Sequence, residues 1–307
     1  MPISISKSMK KWFLATILFV GIGCLALILT GAFLVAHPNP LKVFKDYGAP
    51  EDYGLVAETF HTKTGEAWLI RNPASLRVVL LCHGRSRNRS YLLPLAQALA
   101  RRVNVAMFDF RSHGQHAFGT CSIGKKEARD VGEMLDALEA RGFSDIVVYG
   151  ASMGGAAAAL ELGEGRARPS VSGLILNGAF ADLRQLLVKE VSGSPIIPGS
   201  LVPWIIDLGG AWAGFAPGDA RPGDAIRKIR APVLVLQARS DELLPASSGE
   251  TLAGNAGGVS RLCMYEGTHD LAVSMPVQTM ALGFVQTLNP ECLDSIISDP
   301  GISDPGI

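Results

Sequence analysis

Ser152 lies at the centre of Gly150-Ala151-Ser152-Met153-Gly154, which fits the pattern G-x-S-x-G. The continuous apolar run before this pattern predicts a buried strand, and the alanine-rich run after it predicts a helix. Small residues are needed where a strand turns sharply into a helix, and a serine in that turn presents its hydroxyl group at the helix N-terminus. The pattern predicts that Ser152 is a nucleophile. The alternative is an ordinary glycine-rich turn.

A serine hydroxyl group is a weak nucleophile until an imidazole accepts its proton and a carboxylate orients that imidazole. His269 is the only histidine that follows Ser152 in the chain, and it comes shortly after a late apolar run. Asp241 also follows an apolar run, in the order acid and then histidine that accompanies a G-x-S-x-G serine. We predict a Ser152, His269 and Asp241 triad. The nearby carboxylates Glu242 and Asp270 are alternatives that we interpret as solvated loop charges.

A loop that directly follows the apolar run 78–82 is the second chemical feature. It reads His83-Gly84-Arg85, and the residue after such a glycine usually offers a backbone N–H to an oxyanion. We therefore predict that the backbone N–H groups of Arg85 and Met153 form an oxyanion hole. His83 is expected to brace this loop, because the triad histidine lies late in the chain.

No residue pattern in the sequence predicts a metal or cofactor site. His113 and His116 lie close together, but carboxylates or cysteines with ligand spacing do not accompany them, so a structural hydrogen bond is the favoured role for His113. The cysteines are isolated, without the short paired spacings of a zinc site or a disulfide framework. We interpret them as small buried apolar side chains. The five cysteines are Cys24, Cys82, Cys121, Cys263 and Cys292.

The charge balance excludes a polyanionic partner. The chain has 28 Lys and Arg residues against 28 Asp and Glu residues, so no net positive field attracts nucleic acid. The predicted partners are instead a small-molecule or lipid acyl ester and a membrane.

The elements that must position these residues alternate regularly between strand and helix patterns. Apolar runs without alternation predict strands that are covered on both faces. A strand, helix, strand rhythm predicts an α/β fold, a mostly parallel sheet with helices on both faces. We assign residues 53–290 to this domain, residues 37–52 to a linker and residues 291–307 to a disordered tail.

One insertion interrupts the alternation. Residues 183–229 are rich in glycine, proline and apolar clusters, and they are too long for an ordinary connection, which predicts a lid. Within the lid, residues 194–217 are expected to cover the active site and to select acyl chains. The alternative is that these apolar residues simply pack against the sheet.

Residues 12–36 contain no charged residue. About 20 apolar residues in a helix cross the hydrocarbon layer, so this segment is long enough for a single-pass transmembrane anchor. A cleaved signal peptide usually has a shorter apolar region, which favours a retained anchor over cleavage after Ala32 or Ala36. Three lysines precede the segment: Lys7, Lys10 and Lys11. The positive-inside bias then predicts that residues 1–11 are cytoplasmic and that the catalytic domain is extracytoplasmic.

Five segments occur in the order that is seen in α/β-hydrolases: LLCHG, DFRSHG, GASMGG, PVLVLQARSDELLP and EGTHD. The chain most resembles the broad group of BEM46-like hydrolases and fermentation-respiration switch esterases. This resemblance implies an α/β-hydrolase fold, esterase or related acyl hydrolase activity without a cofactor, and a structural turn at residues 109–114. The chain departs from many relatives in a basic loop, Arg85, Arg87 and Arg89, which predicts a solvated loop or a preference for anionic substrates.

These observations together predict a membrane-anchored serine hydrolase that cleaves acyl esters. A peptidase or a thioesterase would use the same triad. A membrane-anchored interaction protein without turnover is a further alternative, because a fold does not fix a function.

Overall fold

The computed structural model describes residues 7–38, 45–114, 119–269 and 274–293. Several predictions lie outside these ranges. They concern residues 1–6 of the N-terminal segment, residues 39–44 of the linker, His116, Asp270 and residues 294–307 of the tail.

An eight-stranded sheet forms the centre of the described chain, in the order β1-β2-β4-β3-β5-β6-β7-β8. Strand β2 runs antiparallel to β1 and β4, and the other neighbouring pairs are parallel. This topology confirms the predicted α/β-hydrolase fold. The strands are β1 Ala57–Thr62, β2 Gly65–Ile70, β3 Val78–Cys82, β4 Asn104–Phe108, β5 Ile146–Ala151, β6 Val171–Asn177, β7 Val233–Ala238 and β8 Ser260–Tyr265.

Helices cover both faces of this sheet. The helices are α1 Lys7–Ala36, α2 Leu93–Ala100, α3 Glu127–Glu139, α4 Met153–Glu164, α5 Leu183–Ser192, α6 Val202–Ala213, α7 Pro222–Ala225, α8 Ala246–Asn255 and α9 Met275–Thr287. One core contains apolar residues of α3, α4 and α5, and the other contains apolar residues of α2 and α9. Every residue of β3, β4, β5 and β7 is buried between them, which is why these strands lack an alternating pattern.

The parallel strands bring the predicted site residues to one edge of the sheet. Strands β3, β5, β7 and β8 are parallel neighbours or near neighbours, so their carboxyl ends lie at the same edge. Ser152 follows β5, Asp241 follows β7 and His269 follows β8. Arg85 follows β3 at the same edge.

Helix α1 contacts the rest of the described chain only along its C-terminal part, and residues 8–23 are exposed. Its segment Ser8–Ala36 is long and apolar enough to cross a membrane, a criterion that a signal sequence also meets. Its last turns pack against α6 of the predicted lid, and Ala32, Val35 and Ala36 are buried there. The backbone N–H of Cys121 donates to the carbonyl oxygen of Ala36 at 2.8 Å.

A disulfide joins Cys263 of β8 to Cys292, with 5.2 Å between the Cα atoms. The prediction that the cysteines are isolated was wrong for this pair. The two residues are 29 positions apart in sequence, and only the return of α9 along the sheet brings them together. Of the other cysteines, Cys82 and Cys121 are buried thiols as predicted, and Cys24 lies on α1.

Candidate active site

The turn between β5 and α4 holds Ser152 in a conformation that few side chains adopt. Its φ is 49° and its ψ is −115°, in the region where an L residue is strained. Glycines lie two residues before and two residues after Ser152, at positions where neighbouring backbone leaves no room for a side chain. A Cβ atom at Gly154 would lie 2.3 Å from the carbonyl oxygen of Cys82, and one at Gly150 would lie 2.4 Å from the Cα atom of Gly155. The glycines are therefore required by close packing of β5, α4 and the end of β3.

His269 lies between Ser152 and Asp241. Its Nε2 atom is 3.0 Å from the Oγ atom of Ser152, and its Nδ1 atom is 2.8 Å from Oδ2 of Asp241. A carboxylate can only accept, so the Nδ1–H donates to Asp241. This tautomer leaves Nε2 as an acceptor for the serine proton. The structure thus brings together the three residues that the sequence predicts.

Asp241 is almost fully buried, with its side chain 2% exposed. Its Oδ1 accepts the backbone N–H groups of Leu243 and Leu244 at 3.0 and 2.8 Å, and its Oδ2 also accepts from the Gln237 amide at 3.2 Å. These donors compensate a buried carboxylate for its lost hydration. Glu242, the alternative carboxylate within the described residues, is exposed.

Arg85 and Met153, the predicted oxyanion residues, line one cavity with Ser152 and His269. The cavity has a volume of about 400 Å³. The β3 loop passes directly against the serine, since a Cβ atom at Gly84 would lie 3.5 Å from the Cβ atom of Ser152. The loop is closed by a hydrogen bond from the Arg87 N–H to the carbonyl oxygen of Gly84.

His83 braces this loop, as predicted. Its Nδ1–H donates to the carbonyl oxygen of Gly84 at 2.8 Å, and its Nε2 accepts the backbone N–H of Phe110 at 3.1 Å. Complete burial lowers the pKa of His83 to about 4, so the ring is neutral at pH 7. His113 lies 5.2 Å away, ring centre to ring centre, and burial lowers its pKa to about 3. Its Nδ1–H donates to the carbonyl oxygen of Arg111 at 2.8 Å, the structural hydrogen bond that was expected.

The described residues contain no group of three or more His, Cys, Asp or Glu side chains that could hold a metal ion. The hydrogen bonds of His83 and His113 occupy the ring nitrogens named above with backbone groups. Both rings therefore support the loops at the sheet edge.

The interpretation of the basic loop as solvated was wrong. The Arg85 guanidinium donates to the carbonyl oxygens of Leu34 and Val35, in the last turn of α1, and lies 3.6 Å from a carboxylate oxygen of Glu190. Sequence reasoning missed this contact, because an arginine that caps a distant helix has no local pattern.

The other two arginines of this loop also lie against the protein. Arg89 is buried, lies over the Trp68 ring at 4.2 Å and donates to Glu66. Arg87 lies over the Tyr91 ring at 5.3 Å. Both guanidinium groups therefore contact an aromatic face, a common arrangement for arginine.

Two further parts of the cavity wall come from the end of α1, which the sequence did not indicate, and from α5, which lies within the predicted lid. The end of α1 contributes Leu34, His37 and Pro38, and α5 contributes Leu186 and Glu190. Residues 194–217, which were expected to cover the site, do not line this cavity. Within the described part of the chain, the end of α1 and helix α5 line the cavity instead.

Comparisons with known proteins agree with this architecture. Residues 79–282 match the Alpha/beta hydrolase family. The chain is 27% identical over 246 residues to the uncharacterized protein YqkD of Bacillus subtilis (strain 168), a match that covers 76% of this chain and 78% of that one. It is 28% identical over 191 residues to the uncharacterized protein Rv2307c of Mycobacterium tuberculosis (strain ATCC 25618 / H37Rv), which covers 62% of this chain and 61% of the relative.

Two solved structures share the fold at lower identity. The Pyrococcus furiosus esterase Pf2001 has a TM-score of 0.62 at 19% identity, over 81% of this chain and 96% of that one. A membrane phospholipase A, described as a bacterial virulence factor, has a TM-score of 0.55 at 19% identity. That match covers 95% of this chain and 100% of the phospholipase.

Proposed function

Because the chain belongs to the alpha/beta hydrolase family, we propose that it is a serine esterase in which Ser152, His269 and Asp241 form the catalytic triad. The observation that carries this proposal is the continuous hydrogen-bonded line from Asp241 Oδ2 through the His269 ring to the Ser152 Oγ atom. Solved esterases and a lipolytic enzyme share the fold, which supports an ester as the substrate.

The reaction begins when Ser152 Oγ attacks the ester carbonyl carbon and His269 Nε2 takes the hydroxyl proton. The imidazolium ion is stabilised by the Asp241 carboxylate. The oxyanion accepts the backbone N–H groups of Arg85 and Met153. When the tetrahedral intermediate collapses, the C–O bond breaks and His269 returns its proton to the leaving alcohol. Water then attacks the acyl-enzyme with His269 as base and releases the carboxylic acid and free Ser152.

The residues that line the cavity support binding of the acyl group of the substrate beside Ser152. The cavity wall combines apolar side chains with a few polar groups near the serine, the usual composition of a small-molecule site. Phe180, Leu186 and Leu243 supply the apolar part beside Ser152.

Retention of α1 as a membrane anchor is part of the same proposal. Cleavage after Ala36 would remove Val35 and Ala36 from a buried interface and would leave the Arg85 guanidinium without two carbonyl acceptors. A cleaved signal sequence has no such structural role in the mature protein. The disulfide is consistent with an extracytoplasmic catalytic domain, because disulfides persist in oxidising compartments.

The experiment is to label the full-length protein with a fluorophosphonate and to map the adduct by peptide mass spectrometry. We expect one adduct, on Ser152, and loss of both labelling and p-nitrophenyl butyrate hydrolysis in Ser152→Ala. Turnover should fall by about 10⁶-fold, since loss of the nucleophile disables the whole triad. Wild-type hydrolysis by folded Ser152→Ala would refute the assignment.

A further inference from the structure

Helix α1 consists of two parts with different surroundings. Residues 8–23 are exposed on all sides, whereas from residue 24 onward every third or fourth residue is at least partly buried. This spacing marks one helix face in contact with a neighbour. The residues on this face are Cys24, Leu27, Ile28, Gly31, Ala32, Val35 and Ala36.

The neighbour of this face is α6. A Cβ atom at Gly31 would lie 2.8 Å from Ile205 and one at Gly209 would lie 2.8 Å from Val35, so small residues let the two helices approach closely. Phe33 also meets Trp212 edge to face, with ring centres 5.7 Å apart. The two helices therefore form one packed unit along the last turns of α1.

The free part of α1 is too short to cross a membrane alone. The apolar residues 12–23 lie between Lys11 and the contact with α6, and at 1.5 Å per residue they extend ~18 Å. The hydrocarbon layer is ~30 Å thick, and tilting the helix increases the length that is needed. If Lys10 and Lys11 remain at one surface, the rest of the crossing must come from the turns that α6 covers. Helix α6 must then reach into the opposite leaflet.

The outer face of α6 is suited to that position. Trp204, Leu208 and Trp212 follow each other at intervals of four residues, and they are 67%, 37% and 47% exposed. Tryptophan is enriched where a protein meets the membrane surface. Ile196, in the turn before α6, is 70% exposed. The one charged residue of α6, Asp207, pairs with Arg184 of α5.

The active-site cavity adjoins the same end of α1. Leu34, His37 and Pro38 line it, and Leu34 is also 49% exposed. His37 is in turn packed against Trp212, with ring centres 5.9 Å apart. This wall of the cavity and the exposed tryptophan face of α6 therefore lie next to each other around the last turn of α1.

From this arrangement we infer that α6 is seated in the membrane surface and that the enzyme takes its substrate, an acyl ester lipid, directly from the bilayer. This inference rests on the proposed function and deepens it. The lid segment then acts as a membrane-contacting element rather than as a roof over the serine. A lipid acyl chain enters beside Leu34 without crossing bulk water, which avoids the cost of exposing it.

The first test measures the position of α6. Trp12→Phe and Trp68→Phe leave Trp204 and Trp212 as the only tryptophans of the full-length protein. This variant is reconstituted into vesicles of phosphatidylethanolamine and phosphatidylglycerol that carry brominated acyl chains. We expect strong quenching of tryptophan fluorescence, greatest for bromine near the glycerol end of the chain. Absence of quenching would place α6 in water and overturn the inference.

The second test separates lipid access from chemistry. In the double variant Trp204→Glu and Trp212→Glu, hydrolysis of a fluorogenic phosphatidylglycerol in the same vesicles should fall by about tenfold or more, because two charges oppose insertion. Hydrolysis of soluble p-nitrophenyl butyrate should stay within about twofold of wild type, since neither indole lines the cavity. Val259→Glu is the matched control: Val259 is 68% exposed and lies at the opposite edge of the sheet, before β8, and both activities should be unchanged.

The outcomes distinguish the two proposals. Equal loss in the tryptophan variant and in Val259→Glu, or unchanged lipid hydrolysis in the tryptophan variant, would overturn membrane access while the esterase assignment stands. Wild-type butyrate hydrolysis by Ser152→Ala would overturn the esterase assignment whatever the quenching result. If the double variant does not fold, the quenching measurement, which needs only conservative Phe substitutions, still decides the position of α6.

Discussion

At the residue scale, the two carboxylate oxygens of Asp241 have separate partners. Oδ1 accepts two backbone N–H groups, while Oδ2 accepts from His269 and Gln237. An amide at this position has only one oxygen. Because two backbone donors hold that oxygen at the Oδ1 position, the NH₂ group must face His269 Nδ1 and the Gln237 amide. Nδ1 then becomes an acceptor, and the proton moves to Nε2.

This reasoning gives a sharp prediction for Asp241→Asn. With the proton on Nε2, His269 cannot accept a proton from Ser152, and we expect kcat to fall by about 10⁴-fold with little change in fold. The assay is p-nitrophenyl butyrate hydrolysis with circular dichroism as a check of structure. Glu242→Gln is the matched control, because Glu242 is exposed and should be dispensable for turnover. An equal loss in both variants would contradict the assignment of Asp241.

Two buried histidines predict how stability depends on pH. In the folded protein the pKa of His83 is about 4 and that of His113 about 3, against the ordinary 6.5 of the unfolded chain. Between pH 6.5 and 4 the unfolded state therefore binds more protons, so the free energy of unfolding should fall as the pH falls through this window and level off above about pH 7. Each such proton gives a slope of about 1.4 kcal/mol per pH unit.

The slope is measured by urea denaturation at a series of pH values in this window. His113→Phe removes one titrating ring while keeping an aromatic side chain in the site. In this variant the free energy of unfolding should change less steeply with pH than in wild type, by about 1.4 kcal/mol per pH unit, the contribution of one proton. This difference is expected even if the variant is less stable at pH 7. An unchanged slope would mean that His113 is already protonated or exposed in the folded protein.

At the scale of elements, the strands were the most predictable part of the fold. The buried run at residues 78–82 was predicted with the boundaries that β3 has, because burial on both faces leaves an uninterrupted apolar sequence. The position of Ser152 followed from the strand before it and the helix after it. His269 and Asp241 followed from the chemistry that a serine nucleophile needs.

The packing of α1 on α6 was not predictable in the same way. Residues 12–36 are apolar on every side, so no periodic stripe indicates which face meets the protein. Residues 194–217 of the lid contain only one charged residue, Asp207, which is why packing on the sheet and covering the site were equally compatible with this sequence. The Arg85 contact with α1 joins residues that are about 50 positions apart, and nothing local in either segment encodes it.

This contact between elements leads to a prediction with two truncations. Deletion of residues 1–23 removes only the exposed part of α1 and leaves the turns that pack on α6. Deletion of residues 1–36 removes Val35 and Ala36 and returns Ile205 of α6 to water. A buried Val or Ile side chain returned to water costs about 1.5–3 kcal/mol, so the longer deletion should lose at least about 3 kcal/mol of unfolding free energy relative to the shorter one.

The two truncated proteins are compared by urea denaturation and by light scattering. The shorter deletion should stay folded and hydrolyse p-nitrophenyl butyrate, whereas the longer one should aggregate or unfold at lower urea. Equal stability would show that α1 is only a tether. N-terminal sequencing of the native protein is the accompanying check, because a mature chain that starts at residue 37 would lack the contact altogether.

At the scale of the whole molecule, distant segments of the chain close the site. Leu34 of α1, Arg85 after β3, Ser152 after β5, Glu190 of α5 and His269 after β8 all line one cavity. The parallel sheet supplies the common edge, which sequence patterns predict well. The contact of α1 with this edge and the disulfide between Cys263 and Cys292 depend on tertiary packing, which a single sequence does not specify.

The disulfide provides the last prediction at this scale. Cys263 lies before His269 in the chain and Cys292 lies after it, so the bond closes the segment that carries α9 and the histidine of the proposed triad. Closing a loop of this size is worth about 3–4 kcal/mol through the unfolded state. Cys292→Ala, or reduction of the wild type, should therefore lower the unfolding free energy by about 3 kcal/mol and the melting temperature by about 10 °C.

The effect should reach catalysis as well as stability, because the loosened segment holds the His269 ring 3.0 Å from Ser152 Oγ. We expect a lower kcat for p-nitrophenyl butyrate with little change in KM, since positioning of the base matters mainly in the transition state. Cys24→Ala is the control, because Cys24 is a free cysteine on α1.

Differential scanning calorimetry with and without dithiothreitol measures the change in stability. The melting temperatures of wild type and Cys24→Ala should fall with the reductant, and that of Cys292→Ala should not. A wild-type transition that is indifferent to dithiothreitol, with no free-thiol increase, would contradict the role of the bond.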